Sequence, residues 1–349
     1  MKKFLSITLA LLLVLSFSAC SSVERIEEMI SASSSKIENV LGSILSEIEK
    51  EISSSASSVK DFVSSFDKEG EDENEDEEGE TPKKESVKEE DREDESVGSL
   101  TIQYIDVGQA DAALVECNGE YLLIDGGNRG DSDVLYAILK RKGITHLNYV
   151  VGTHGHEDHI GGIAGALEAC SSVGVVYSPV TEFDSKTFEN FKKAAEEKAG
   201  KLTVPNAGDE FMIGNAKVKI LGPVTEYEDP NNTSIVLKIT FGKTSFLFTG
   251  DMEYDAEIDL IESGADVSAD VLKVGHHGGS TSSCYRFLRA VAPKYGVISV
   301  GEGNSYGHPH DEPLSRLYDA DVEVFRTDEV GDVICTSDGK NITFETKKF

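Results

Sequence analysis

The sequence of 349 residues has no tryptophan, only eight prolines and about half as many basic as acidic residues. Lys and Arg number 33 against 64 Asp and Glu, which gives a net charge of −31 at pH 7. Nonspecific binders of nucleic acid hold phosphates against a basic surface, so this composition argues against that class of protein. It does not argue against an enzyme that contacts nucleic acid only during a reaction.

The sequence also lacks a run of about 20 apolar residues, the length that a membrane-spanning helix needs. Its longest largely apolar run, Phe4–Phe17, follows a basic start and has the length of a signal-peptide core. Small residues precede Cys20, as in bacterial lipoboxes, although Phe17 stands where such boxes usually carry an aliphatic residue. We therefore expect residues 1–20 to be a lipoprotein-type signal peptide, with the mature protein extracytoplasmic and membrane-anchored through a lipid at Cys20. The alternative is an ordinary cleaved signal and a secreted protein.

Cysteines are few, and no two are spaced as in a C-x-x-C pair, so the sequence does not indicate a thiolate metal site. Four remain after Cys20: Cys117, Cys170, Cys284 and Cys335. In an exported protein these allow three disulfide pairings. Buried free thiols are the alternative.

The N-terminal region divides by composition. From residue 23 to 66, apolar residues recur every three, four or seven positions, the period of one helical face. We predict an amphipathic helical stalk over 21–66, with self-association through 23–66 as one way to bury its apolar stripe; a disordered Ser-rich segment is the alternative. Residues 67–96 hold 17 acidic and 5 basic residues, so 67–98 is predicted to be an acidic disordered linker.

Residues 99–349 have the composition of a folded domain, and 97–349 still carries a net charge of −17. Alternating and buried-strand patterns predict a strand, a hairpin closed at Asn118-Gly119, and then a helix, a buried strand and a second helix. The predicted bounds are Ser99–Val107, Ala112–Cys117, Glu120–Asp125, Asp133–Lys142, His146–Thr153 and Ile160–Ala169.

One segment directly after the buried strand concentrates metal ligands. Thr153–Gly162 reads THGHEDHIGG and contains His154, His156, Asp158 and His159. Imidazole and carboxylate suit Zn²⁺, Mn²⁺ or iron, and a mixed set is typical of a catalytic site that keeps an open position. Three of the eight histidines of the chain lie here, so a chance polar loop is a poor explanation.

This H-x-H-x-D-H pattern is the signature of the metallo-β-lactamase superfamily. The resemblance implies a bridging carboxylate after a later strand, which Asp251 in Ser245–Asp251 (SFLFTGD) supplies, and two further histidines. No histidine lies between 160 and 250, which argues against a β-lactamase or glyoxalase-type arrangement. The later candidates are His276, His277, His308 and His310.

The order of motifs resembles the extracellular hydrolase domain of the ComEC competence proteins over nearly all of 100–340. Ala110 stands where that family commonly has Gly, and no multi-span permease region is present, so the chain by itself is not expected to be a DNA channel. The resemblance implies an α/β fold, the four-layer αββα sandwich, over 99–349. The other shared motifs are YIDVGQADA from Tyr104, LLIDGG from Leu122, NTSIVL from Asn232, FTGD from Phe248, KVGHHG from Lys273 and YGHPH from Tyr306.

The same resemblance implies two divalent metal ions, Zn²⁺ or Mn²⁺. One ion would take His154, His156 and one of the pair His276–His277; the other would take Asp158, His159 and His308, with Asp251 bridging. We favour His277 as the ligand and His276 as a contact to the ligands or to a substrate phosphate, although the reverse order stays open. Asp158, His276 and Asp251 are the catalytic candidates.

Other polar residues of these motifs have expected supporting roles. His310 is expected to orient a ligand or substrate, or else to be a surface residue, and His146 to be structural. Asn232 has two open roles, in the cleft or in a turn. Asp106, Asp111 and Asp125 are expected to order loops or ligands.

Two metals that share a water lower its pKa to about 7 and hold substrate oxygens. We therefore expect hydrolysis of a phosphodiester, either single-stranded DNA or a small or cell-surface molecule; secreted phosphorylcholine esterases of the superfamily share the metal arrangement. One alternative is the same fold acting on a lactone, lactam or thioester. Another is a non-enzymatic surface module that metal stabilises.

Overall fold

The structure, a computed structural model, describes residues 98–348. The predicted signal peptide with Cys20, the stalk, and the linker up to residue 97 lie outside the described residues. Within 98–348, no helix is both long and apolar enough to cross a membrane.

Two mixed β-sheets form the centre of the described region. The first has the strand order β15-β14-β1-β2-β3-β4-β5-β6, and the second has the order β13-β12-β11-β10-β9-β8-β7. In the first sheet β3 to β6 pair in parallel; in the second sheet β10 to β13 do so. The strands are β1 Leu100–Tyr104, β2 Ala113–Cys117, β3 Glu120–Ile124, β4 His146–Val151, β5 Ser172–Tyr177, β6 Leu202–Thr203, β7 Glu210–Ile213, β8 Ala216–Gly222, β9 Val236–Phe241, β10 Thr244–Phe248, β11 Val271–Lys273, β12 Tyr295–Ile298, β13 Glu323–Arg326, β14 Asp332–Ser337 and β15 Ile342–Lys347.

Helices cover the outer face of each sheet. The helices α1, α3 and α4 pack on the first sheet, and α5, α6 and α7 pack on the second. The helices are α1 Ser132–Lys142, α2 Glu157–Ile160, α3 Ile163–Ala169, α4 Lys186–Ala199, α5 Tyr254–Glu262, α6 Tyr285–Val291, α7 Asp311–Asp319 and α8 Thr327–Val330, with short 3₁₀ turns at Arg129–Asp131, Asn231–Thr233 and Gly275–Gly278.

Three apolar cores separate the four layers. The central core lies between the sheets, where Tyr104 of β1 stacks on Phe248 of β10 with ring centroids 5.6 Å apart. The outer cores lie between each sheet and its helices; one contains Leu123 of β3 and Leu135 of α1, and the other contains Leu272 of β11 and Leu288 of α6. The order helix, sheet, sheet, helix confirms the four-layer αββα sandwich predicted for this region.

The predicted elements agree with the structure, with small differences in length. The hairpin β2–β3 closes at Asn118 and Gly119, both of which have positive φ, as a two-residue turn of this kind requires. The first strand ends at Tyr104 rather than at Val107, because the chain then turns and the Ile105 N–H pairs with the Ala112 carbonyl. The cysteines are buried free thiols: Cys117, Cys170, Cys284 and Cys335.

Candidate metal centre

The predicted ligands follow the carboxyl ends of strands from both sheets. The segment His154–His159 comes after β4, Asp251 after β10, the pair His276–His277 after β11, and His308 lies in the loop after β12. Because β10, β11 and β12 are parallel neighbours, their carboxyl ends meet at one edge of the sandwich. The fold thus brings ligands from separate parts of the sequence to one place.

One cluster joins Asp158, His159, Asp251 and His277, whose ligand atoms all lie within 4.8 Å of one another. His159 Nε2 is 3.2 Å from Asp251 Oδ2. His277 Nε2 is 3.3 Å from Asp158 Oδ2 and 3.5 Å from Asp251 Oδ2. Two imidazole nitrogens and two carboxylates therefore converge on one position.

Several of these atoms are buried without a hydrogen bond. Among the described residues, His159 Nε2, His277 Nε2 and Asp251 Oδ1 form no hydrogen bond of normal geometry, although carboxylate oxygens lie 3.2–3.5 Å from the two nitrogens. Buried polar groups are nearly always paired, so unpaired atoms facing one point need an explanation. A divalent cation fits, because these nitrogen and oxygen donors are its usual ligands.

In the first of the two imidazoles, His159, the ring nitrogen that faces away from the cluster contacts a carboxylate. Its Nδ1 lies 2.8 Å from Asp125 Oδ2. Asp125 accepts hydrogen bonds from the Thr153 backbone N–H at 2.7 Å and from the Thr153 hydroxyl at 2.8 Å. With its proton directed at Asp125, Nδ1 leaves the Nε2 lone pair free for a metal.

The second imidazole, His277, has a similar arrangement. Its Nδ1 lies 3.0 Å from the Ser299 carbonyl and 3.2 Å from Asp111 Oδ1. Both partners are acceptors, so Nδ1 carries the proton and Nε2 is again free. Asp111 in turn forms a 2.8 Å ion pair with Lys273. The expectation that Asp111 and Asp125 order ligands agrees with these contacts.

Next to this cluster, His154 and His156 form a second candidate position. His154 Nε2 lies 2.9 Å from His156 Nδ1. Two ligands of one zinc ion, each at about 2.0–2.1 Å from it, would lie at a similar separation. The His154 ring is fully buried and packs at 4.1 Å, centroid to centroid, from the His159 ring. The two candidate positions are therefore adjacent.

The side chains of His276 and His277 lie in different surroundings. Both residues have left-handed backbone angles, with φ of 50° and 52°, so the chain turns sharply between β11 and the following loop. The His277 side chain is 2% exposed and faces the cluster, whereas that of His276 is 23% exposed. His276 Nδ1 lies 3.0 Å from Glu253 Oε1, and its Nε2 lies 3.9 Å from Asp251 Oδ2.

This geometry differs from the partition that the sequence predicted. There, His277 joined His154 and His156, and His308 joined Asp158 and His159. In the structure His277 lies with Asp158, His159 and Asp251. His277, in the left-handed turn, lies beside Asp158 and Asp251, whereas His308 lies beside Gln109.

Of the remaining predicted residues, His308 lines the cleft, and His310, Asn232 and His146 do not. His308 lines the cleft, where its Nδ1 lies 3.4 Å from Gln109 Nε2. His310 accepts a 2.9 Å hydrogen bond from the Ser280 N–H and orders that loop. Asn232 has the turn role, since its Oδ1 accepts from the Glu253 N–H at 2.9 Å. His146 is exposed at the start of β4, where its Nδ1 lies 2.7 Å from Ser172 Oγ.

The cluster opens into a polar cleft of about 330 Å³. Sequence reasoning missed four of its residues, Gln109, Glu157, Asn231 and Tyr306, because only the meeting of distant loops places them together. Three of them, Gln109, Glu157 and Tyr306, lie in the motifs quoted above, but without an assigned role. The lining residues are Gln109, His156, Glu157, Asp158, Asn231, Asp251, His276, His277, Tyr306 and His308.

The charges of the cluster favour a cation. Burial lowers the pKa of His159 and His277, but the surrounding carboxylates, Asp251 first, outweigh burial and hold both pKa values well above the ordinary one. Burial and the nearby His276 and His277 lower the pKa of His308 to about 4, which keeps that ring neutral at pH 7. A divalent ion would replace the protons that the carboxylates otherwise attract.

Comparisons with known proteins agree with this architecture. A family model described as the metallo-beta-lactamase superfamily matches residues 105–302. ComE operon protein 3 of Bacillus subtilis (strain 168) is 32% identical over 253 residues, which are 66% of this chain and 32% of that protein. Competence protein ComA of Neisseria gonorrhoeae is 30% identical over 230 residues, 65% of this chain and 30% of that protein.

The chain thus spans about a third of the length of these relatives. Among solved structures, the metallo-beta-lactamase fold protein YhfI from Bacillus subtilis is similar with a TM-score of 0.46 and 15% identity. That match covers 70% of this chain and all of the other.

Proposed function

Because the chain belongs to the metallo-β-lactamase superfamily, we propose that it is a dinuclear metal-dependent hydrolase that cleaves phosphodiester bonds. The observation that carries this proposal is the buried set Asp158, His159, Asp251 and His277 beside the pair of imidazoles His154 and His156. Such a set suits two catalytic ions better than one structural ion, since structural sites are usually closed and mononuclear.

We assign the ligands from the geometry of the chain. Asp158, His159 and His277 would hold one ion, and His154 and His156 the other, with Asp251 between them. Two divalent ions, Zn²⁺ or Mn²⁺, would supply an activated water near neutral pH and a clamp for substrate oxygens. His276 then remains at the cleft wall, where it is a third ligand of the ion at His154 or a contact to the substrate.

The setting of His276 favours a role toward the substrate. Glu253 and the Thr281 hydroxyl lie 3.0 and 3.1 Å from its Nδ1, and Thr281 itself donates to Glu253 at 2.9 Å. Glu253 therefore accepts a hydrogen bond from the Nδ1–H, which leaves Nε2 directed at the cleft. From there Nε2 would contact a phosphate oxygen or hold a proton for the leaving oxygen.

The substrate is proposed to be single-stranded DNA or a small or cell-surface phosphodiester. The open, polar cleft supports a phosphodiester substrate. The two ends of a phosphodiester extend away from the bond that is cleaved, and an open cleft leaves room for both. The relatives named as competence proteins support DNA, whereas the acidic composition of the domain supports a smaller molecule. We also propose that the N-terminal region places the enzyme outside the cytoplasm, through a lipid on Cys20 or by secretion, and that 23–66 self-associates.

Hydrolysis of bis(p-nitrophenyl) phosphate by the full chain, loaded with Zn²⁺ or Mn²⁺, tests the reaction class. Asp158→Ala and Asp251→Ala should lower turnover by about 100-fold or more, because each removes a ligand. Asp266→Ala, at an exposed carboxylate paired with Lys238, is the control. Full turnover in both ligand variants would contradict the proposal.

The alternatives give different results in the same assay. A parent chain with two bound ions and no phosphodiester turnover would direct attention to lactone, lactam and thioester substrates. If chelation lowers the melting temperature but no ester class is hydrolysed, the domain is a metal-stabilised surface module. If turnover occurs, single-stranded DNA and choline phosphodiesters are the next substrates to compare.

A further inference from the structure

Lys273 is a buried lysine behind the metal centre, and the proposed hydrolysis does not use it. It ends β11, three residues before the left-handed turn at His276. Its side chain is 4% exposed, and its Nζ lies 2.8 Å from Asp111 Oδ2 and 3.0 Å from the Val274 carbonyl. A buried ammonium is costly even when paired, so its presence here needs a cause.

Asp111 connects this lysine to a metal ligand. One carboxylate oxygen, Oδ2, pairs with Lys273, and the other, Oδ1, lies 3.2 Å from His277 Nδ1. The Asp111 backbone N–H donates to the Asp158 carbonyl at 3.0 Å, so the same residue is also fixed to the H-x-H-x-D-H segment. The Asp111 backbone is therefore fixed to that segment, and its carboxylate lies between Lys273 and the ring of His277.

The two ligand imidazoles differ in how their carboxylates are held. Asp125, behind His159, receives hydrogen bonds from the neutral donors of Thr153. Asp111, behind His277, is held instead by a cation. His277 also has a left-handed backbone, with φ of 52°, and its Nδ1 lies between the Ser299 carbonyl at 3.0 Å and Asp111 Oδ1 at 3.2 Å.

We propose that Lys273 is a positioning residue for the metal centre: it fixes Asp111, and Asp111 aims the His277 ring so that Nε2 faces Asp158 and Asp251. The affinity for the ion at that position then depends on a residue that touches neither metal nor substrate. This inference rests on the metal centre of the proposed function and is independent of the substrate.

The test is metal titration of the full chain, first stripped of metal, by calorimetry with Zn²⁺ and by the absorption spectrum with Co²⁺. Lys273→Met should weaken binding at one of two positions by about 10- to 100-fold and change the Co²⁺ spectrum. The matched control is Lys238→Met. Lys238 is also a mostly buried lysine of the second sheet, paired with Asp266 at 2.7 Å, but it does not contact the metal cluster. Lys238→Met should leave the affinity for the ion unchanged at both positions.

Parental affinity at both positions in Lys273→Met would overturn the inference. An equal loss of metal affinity at both positions would also overturn it, because that result would indicate a general disruption of the fold rather than a misplaced His277. If Lys273→Met does not fold, Lys273→Gln decides by the same comparison. A parent that binds two ions but hydrolyses no phosphodiester would defeat the proposed function alone, whereas a parent that binds no ion would defeat both.

Discussion

His159 directs one ring nitrogen at Asp125 and the other at Asp251: Nδ1 lies 2.8 Å from the first carboxylate and Nε2 3.2 Å from the second. The imidazole thus bridges a carboxylate that is fixed by Thr153 and one that faces the metal position. The orientation of the ring, with Nε2 toward the metal position, is therefore set before any ion binds.

Asp125→Asn should therefore weaken metal binding without removing a ligand. An amide can present its N–H₂ to His159 Nδ1, which would move the proton to Nε2, the atom needed for the metal. We expect metal affinity to fall by about 10- to 100-fold, measured by titration of the metal-free chain. Asp133→Asn, at an exposed carboxylate of α1 outside the cluster, is the control; equal losses in both variants would contradict the prediction.

Metal affinity should rise with pH. The carboxylates around His159 and His277 hold the pKa of both rings well above the ordinary value, so protons compete with metal for Nε2. Raising the pH removes these protons and favours metal. Titrations at about pH 6 and about pH 8 should show tighter binding at the higher pH, and a pH-independent affinity would contradict the assignment.

Glu257 should make the stability of the fold depend on pH. It lies buried on α5 and accepts hydrogen bonds from the backbone of Ser283 and Cys284, yet burial raises its pKa to about 7. A glutamate with a raised pKa binds its proton more tightly in the folded state. Stability is therefore lost as pH rises from the unfolded pKa through about 7.

Glu257→Gln removes this titration. Between about pH 4 and about pH 8, the free energy of unfolding of the variant should change relative to the parent by about 3 kcal/mol, in favour of the variant at high pH. Urea denaturation at the two pH values measures the difference. Glu262→Gln, at an exposed position of the same helix, is the control, and a parent-to-variant difference that is equal at both pH values would refute the prediction.

Tyr306 should contribute to substrate binding rather than to chemistry. Its ring is 67% exposed at the cleft and lies nearly parallel to the His308 ring, with centroids 5.7 Å apart. The free face is available for a planar group. Tyr306→Ala should raise KM for an aryl phosphodiester about 5-fold or more with little change in kcat, since stacking on an aromatic ring contributes at least about 1 kcal/mol.

Steady-state kinetics with bis(p-nitrophenyl) phosphate provide the measurement for Tyr306→Ala. Tyr318→Ala removes a ring that is 82% exposed and does not line the cleft, and it should leave both constants unchanged. A drop in kcat with constant KM would place Tyr306 in the chemical step instead.

The sequence was most informative where ligands are close in the chain. The hairpin at Asn118-Gly119 and the strand before His154 depend on short-range patterns, and both appear in the structure. The ligand partition depends on backbone conformation at His276 and His277, where two successive non-glycine residues take left-handed angles. Such angles are uncommon for non-glycine residues, so the sequence favoured the correct ring, His277, but not the ligands beside which it lies.

The sequence also did not predict the contacts between residues of the two sheets. Lys273 and Asp111 are separated by 162 positions, yet their side chains form one buried pair. Similarly, Gln109 meets His308 only because loops from the two sheets converge at the same edge. The resemblance to a family pointed to the residues but could not give these distances.

The left-handed pair at His276 and His277 has a consequence for the evolution of the domain. Each non-glycine residue in this conformation costs on the order of 1 kcal/mol of folding stability, and glycine at either position would recover that amount. The turn that orients the two imidazoles is thus a place where selection for a more stable protein and selection for a working centre act in opposite directions. Variants selected only for thermal stability would be expected to lose the histidines first and the sandwich last.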